Sequence, residues 1–231
     1  MKNAIWELKI TQKDCPMIDT TKAFPSVFIL MMNTEILNNS CQYLFSIIGS
    51  NERTSLAQAV KFLASHERVT EFNLISKSKN LAIANYTMKQ TSMYSKASKI
   101  GFRLHPVLVA RGTERWFFVT DSGKDIAKEY VEDEWTTLLE MRKMTQDEFS
   151  REYSSIFFKF YVSNMLRGFD PEDAKLMKDA IKEGFFDWPR GQSLTELSRK
   201  MNVPKSSMSY RIRRIVKRVT SAVYHDLSPF E

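Results

Sequence analysis

The sequence predicts an α+β protein: an N-terminal α+β module, a long connector helix and an all-α C-terminal domain. Three observations predict it. Stretches rich in β-branched and aromatic residues recur through residues 1–144, bounded by turn residues. From residue 145 onward apolar residues recur at helical spacing instead. Charge is also uneven, because between Leu197 and Tyr224 there are eight bases and no acid.

At 231 residues, with 43% hydrophobic and 26% charged side chains, one large domain or two small ones can each bury a core. The longest apolar run considered, Val27 to Met32, is six residues, far below the roughly 18 that a membrane span needs. Met1 to Glu7 lacks the basic start and apolar stretch of a signal peptide, so a cytoplasmic protein away from membranes is expected. Cys15 and Cys41 are the only cysteines and form no metal or redox spacing. The seven glycines are never closer than seven residues apart, which excludes the clustered glycines of dinucleotide and phosphate loops. Three histidines and no Gly-x-Ser-x-Gly leave little for a common hydrolase.

Strands are predicted over Ile5–Ile10, Tyr43–Ile48, Val69–Ile75, Leu81–Met88, Phe102–Ala110, Trp116–Thr120 and Trp135–Met141. Ala110 to Arg115 reads as a hairpin loop around Gly112, and Asp121-Ser122-Gly123 as a further junction. Leu56, Ala59, Val60 and Leu63 give one apolar face to a helix over 54–65, and Asp125–Asp133 is a weaker helical pattern. This order suggests βαβ-type units arranged as tandem ferredoxin-like halves.

Thr145 followed by Glu148 is a capping-box signature. Phe149, Tyr153, Ile156, Phe157, Phe160, Tyr161 and Met165 then share a broad face of a connector helix over 145–169. That face suits either the core of the first module or a dimer contact. Asp170-Pro171 opens the next helix, with Ala174, Met177, Ala180 and Ile181 read as inward, and Gly184 closes it. Phe185, Phe186 and Trp188 read as core aromatics of the following turn. Ser193 and Glu196 form a second capping box, before a short helix marked by Leu194, Leu197 and Met201. Asn202-Val203-Pro204 turns the chain into a final helix from Lys205 to about Tyr224.

A short helix, a tight turn and a long basic helix make a helix-turn-helix over the domain 170–231. In the last helix Met208, Ile212, Ile215 and Val219 face the core. Ser206, Ser207, Tyr210 and Arg211 then occupy the N-terminal exposed positions from which a recognition helix meets base edges. Arg199, Lys200, Lys205, Arg213, Arg214, Lys217 and Arg218 suit phosphates, whose contacts carry affinity without sequence information. A solvated basic helix face is the bland alternative.

Residues Asp170 to Val219 resemble the C-terminal helix-turn-helix domain of the archaeal bacterio-opsin activator family. The likeness rests on Gly184-Phe185-Phe186-Asp187-Trp188-Pro189-Arg190 and Leu194-Thr195-Glu196-Leu197-Ser198, and continues from Val203-Pro204-Lys205-Ser206-Ser207-Met208-Ser209 into Arg211-Ile212-Arg213-Arg214. It covers about 50 residues, and implies a sequence-specific transcription regulator with double-stranded DNA as partner. Met208 departs from it, standing where an aliphatic residue is usual.

For residues 1–144 the expectation is a sensor or dimerisation module, which makes a homodimer and a small-molecule effector the further expected partners. Cys15, Cys41, His66 and His105 are too scattered for a metal site, and no catalytic residue and no cofactor are expected. Two other readings give the basic helical tail a protein partner, as in a sigma-like contact, or RNA. The N-terminal module would then be a small-molecule enzyme or a sensor.

Overall fold

The computed structural model describes residues 4–36, 41–50, 53–120, 131–165 and 171–227, and divides the chain into two units, Met1–Asn164 and Met165–Glu231. In unit 1 the elements run β1 (Ala4–Gln12), α1 (Pro16–Ala23), β2 (Val27–Ile36), β3 (Cys41–Ser50), α2 (Arg53–Ala64), β4 (Val69–Lys77), β5 (Leu81–Lys89), α3 (Ser92–Ile100), β6 (Phe102–Ala110), β7 (Thr113–Thr120), β8 (Thr136–Met144) and α4 (Gln146–Met165). The α+β class is as the sequence predicts.

All eight described strands join one sheet in the order β4-β5-β3-β2-β6-β7-β1-β8, and every pairing is antiparallel. The two ferredoxin-like halves expected from sequence are therefore merged. The cause is β2, which pairs with β3 along one edge and with β6 along the other, Phe28–Met31 opposite Ala110–Val107. Its run Val27-Phe28-Ile29-Leu30-Met31-Met32 lacks alternation because both faces of a central strand are covered.

Side chains alternate between the two faces of the sheet. Leu8, Ile10, Ile29, Met31, Leu44, Ile48, Tyr86, Val109, Trp116 and Phe118 form one face and pack with α1, α2 and α3. Leu56, Ala59, Val60 and Leu63 supply the α2 stripe, as the spacing predicts. Ile5, Leu30, Ile47, Leu81, Leu108 and Phe117 form the other face, and α4 covers it with Phe149, Tyr153 and Ile156. Phe117 meets Phe149 and Tyr153 edge-on at 5.8 and 5.7 Å. Glu7 on the α4 side is buried and binds Arg115 and Arg142, and Arg115 reaches Glu152 of α4 at 3.1 Å.

The Thr145 cap forms as expected: the Glu148 amide donates to Thr145 Oγ1 at 3.3 Å, and the Thr145 amide donates to Glu148 Oε2 at 2.8 Å. The hairpin between β6 and β7 needs only Arg111 and Gly112, both at positive φ (51° and 74°), so its loop is shorter than the expected 110–115. Asp121-Ser122-Gly123 and most of the Asp125–Asp133 helix lie outside the described residues. Helices α1 and α3 and strand β2 were not among the expected elements.

Glu114 lies fully buried on the face covered by α1, α2 and α3, accepting from Gln12 Nε2 at 3.0 Å, Trp116 Nε1 at 2.8 Å and Cys15 Sγ at 3.5 Å. Burial pushes its carboxyl above the ordinary range, against the pull of those three donors. The folded state therefore holds this proton at a pH where the unfolded chain has released it, and stability falls as pH rises from about 4.3 through the raised pKa. Urea unfolding from pH 4 upward is expected to show the wild type losing stability relative to Glu114→Gln over that window. Parallel pH curves would contradict it. Phe117→Ala is expected to cost about 3–5 kcal/mol in the same measurement, since it removes a fully buried ring between the sheet and α4.

Candidate nucleic-acid interface

Unit 2 is built from α5 (Pro171–Lys182), α6 (Leu194–Lys200) and α7 (Lys205–Leu227). Its core brings together Leu176 and Ala180 of α5, Phe185 of the loop, Leu197 of α6, and Met208, Ile212 and Ile215 of α7. Met208, Ile212 and Ile215 are buried and Val219 packs beside them, so α7 turns the face that its spacing predicts inward. On α5 the inward pair is Leu176 and Ala180; Ile181, expected inside, is 62% exposed. The Ala174 side chain lies outside the described ones.

Gly184 closes α5 at φ 68°, while the Phe185 amide donates to the Ala180 carbonyl at 2.9 Å across the helix end. The Gly191 amide then donates back to the Gly184 carbonyl at 2.9 Å, and a Cβ on Gly191 would stand 2.8 Å from the Glu183 carbonyl. The loop is pinched shut at these two glycines. Only Phe185 enters the core, under the Arg190 guanidinium at 5.2 Å, while Phe186 is 46% and Trp188 96% exposed. The expectation that all three aromatics are core residues is thus corrected: a loop closed at its base has room to send one ring inward.

Ser193 caps α6 in a complete capping box, its Oγ accepting the Glu196 amide at 3.3 Å and Glu196 Oε2 accepting the Ser193 amide at 2.7 Å. These bonds hold the Glu196 carboxyl below its ordinary range. Asn202 takes φ 52° after α6, a conformation that asparagine tolerates well, and the Val203 amide reaches the Ser198 carbonyl at 3.0 Å. The turn passes through Pro204 directly into α7.

Ser206, Ser207 and Tyr210 are exposed on the first turns of α7, Tyr210 at 66%. Arg211 is only half-buried in solvent terms and is tied to α5, donating from Nε to Asp173 Oδ1 at 2.9 Å and facing Glu172 at 3.4 Å. Arg214 donates to the other Asp173 oxygen and lies 5.9 Å from the Tyr210 ring. Asp173 itself is 1% exposed. Lys200 pairs with Glu183 at 2.6 Å. Arg199, Lys205, Arg213, Lys217 and Arg218 are all exposed, and the first four carry no ion pair among the described residues. Sequence reasoning missed the Asp173 clamp because its acid comes from α5, about 40 residues upstream of the arginines it holds.

The comparisons with known proteins bear on both units. A family model described as HVO_2525_N, N-terminal, matches residues 5–134, more than half of the 231-residue chain. The chain belongs to the HVO_2525_N family. Its HVO_2525_N module is followed by a match to the HTH DNA binding domain model over residues 171–221, which spans α5, α6 and most of α7. This is the bacterio-opsin activator-type helix-turn-helix that the sequence resembles, so the chain carries a DNA-binding domain. Neither the curated proteins nor the solved structures give a match. No described helix is long and apolar enough to cross a membrane.

Two stability outcomes follow from the core and the cap. Ile212→Ala is expected to lower the stability of unit 2 by about 2–5 kcal/mol, measured by thermal melting of the whole chain. Ser193→Ala is expected to cost about 1 kcal/mol through the lost cap. An Ile212→Ala melt identical to the wild type would show that α7 presents another face to the core.

Proposed function

We propose that the chain is a sequence-specific transcription regulator of archaeal type, which reads the major groove of duplex DNA with α7. The observation that carries this reading is the outer face of α7. Ser206, Tyr210, Arg213 and Lys217 share the side opposite Met208, Ile212 and Ile215, and among the described residues no acid interrupts it. Hydroxyls at the start of the helix and cations further along match the division between base readout and phosphate anchoring.

In this reading Ser206, Ser207 and Tyr210 meet base edges, and Arg211 joins them by exchanging Asp173 for a base acceptor. Lys205, Arg213, Arg214, Lys217 and Arg218 hold phosphates along α7, and Arg199 and Lys200 hold them from α6. Asp173 sets the arginines before DNA arrives, and exchanging a carboxylate for a guanine edge or a phosphate keeps their donors bonded throughout. A homodimer fits the proposal, because helix-turn-helix readers commonly address two half-sites about one helical turn apart. The HVO_2525_N module then serves as the sensor or dimerisation part, and the protein acts in the cytoplasm where its DNA lies.

Fluorescence anisotropy on duplex DNA from the gene's own upstream region and on scrambled duplex, across a salt series, tests the proposal. Preference for the first duplex with a shared steep salt dependence is expected. Lys217→Ala is expected to weaken both complexes alike and to reduce the salt slope by about one. Arg211→Ala is expected to cost about 1–3 kcal/mol on the specific site and much less on the scrambled one. Absence of binding even at low salt would shift the role of the basic helix to a protein partner.

A further inference from the structure

The N-terminal end of α3 opens onto two adjoining hollows of about 230 and 460 Å³ that share Arg68, Gln90, Thr91 and Ser92 as walls. Thr91 stands at the N-cap position of α3, where a threonine hydroxyl ordinarily accepts a backbone amide of the first turn. Here that amide is taken: Met93 donates to Gln12 Oε1 at 3.1 Å. The Thr91 hydroxyl makes no cap bond, has no other partner among the described residues, and lines both hollows although the residue is only 7% exposed.

Arg68 is the second unspent donor. Its Nη1 donates to Asp14 at 2.8 Å and its Nη2 to the Gln90 carbonyl at 2.8 Å, which fixes the guanidinium between the two hollows. Its Nε is buried and has no acceptor. Of the acids at this place, Asp14 pairs with Arg68, Asp133 pairs with Lys96 at 2.6 Å, and Glu134 is set against two lysines. Lys13 on one hollow and Lys89 on the other are exposed and carry no ion pair among the described residues. The excess charge is therefore positive, and the helix terminus adds to it. Trp135, 46% exposed, walls the smaller hollow, and its indole N–H is spent on Glu134 at 2.8 Å, so it presents apolar surface.

We propose that this cleft binds a small organic anion. Its carboxylate or phosphate group meets Thr91 Oγ1, the Arg68 guanidinium and the start of α3, with Lys13 and Lys89 supplying the opposing charge. Its apolar part lies against Trp135. The Thr91 hydroxyl, open to the hollows and without a protein partner among the described residues, and the anchored Arg68 guanidinium are donors that an oxyanion can take in place of water. The site lies wholly within unit 1 and does not depend on the DNA-binding reading, so either can fail without the other.

Isothermal titration calorimetry of the full chain at constant ionic strength tests it, with benzoate, phenyl phosphate and neutral benzamide as probes. Saturable binding of benzoate, of phenyl phosphate or of both is expected, with benzamide giving none; the two anions identify the head group. Thr91→Val, and Lys13→Ala combined with Lys89→Ala, are each expected to weaken binding at least about tenfold, or about 1.4 kcal/mol. Both lysines are exposed, so the double variant keeps the test informative if Thr91→Val disturbs the fold. The proposal is overturned if neither anion binds saturably at millimolar concentration, if benzamide binds equally well, or if folded variants bind like the wild type.

Discussion

An eight-stranded antiparallel sheet that is apolar on both faces has to be covered twice, and unit 1 is arranged around that requirement. Strand β2 sits at its centre, joining β3 to β6, and sends Ile29 and Met31 to one side and Leu30 to the other. Among the described elements, α1, α2 and α3, inserted between strands, cover the first side. The second would face water without α4, whose Phe149, Tyr153 and Ile156 close it. Because the layers are packed at crystal-like density, polar groups inside them must be satisfied by other protein groups. Glu7 with Arg115 and Arg142 on one side, and Glu114 with Gln12, Trp116 and Cys15 on the other, are two such solutions.

Unit 2 has a much smaller core, and local devices carry a larger share of its order. A glycine end to α5, a complete capping box on α6 and an asparagine at positive φ before α7 each satisfy backbone groups that a short helix leaves open. Asp173 performs a different task. A carboxylate with 1% exposure is tolerable only with cations beside it, so it draws Arg211 and Arg214 onto the α5 side of α7. The unit thereby divides its bases into a tethered pair and an outward set. That division suits a surface that must hold cations in register before an anion arrives.

The α3 cleft and the α7 face share a physical logic. In both, donors are fixed by neighbours instead of being left to solvent: Arg68 by Asp14 and the Gln90 carbonyl, Arg211 by Asp173. Preorganised donors lose less conformational entropy when an anion binds, and bind it more selectively.

Much of this was legible in one dimension. The alternating strands, the α2 stripe, both capping boxes and the Met208-Ile212-Ile215 face are periodic or short-range patterns, and local backbone chemistry suffices to read them. Strand β2 hid because burial on both faces erases alternation, and α1 because its eight residues are too few to display a period. Met93, Ala97 and Ile100 do recur at helical spacing in α3, but the serines and lysines among them masked it. By itself the sequence determined the fold class, the helix-turn-helix and its basic, acid-free helix, since all of these depend on neighbours within a few turns. Long-range packing sets the rest: one sheet forms instead of two, Trp188 faces solvent, Asp173 holds two arginines, and Thr91 and Arg68 meet at one cleft. Each of those depends on pairings between residues tens of positions apart, which neither spacing nor composition encodes.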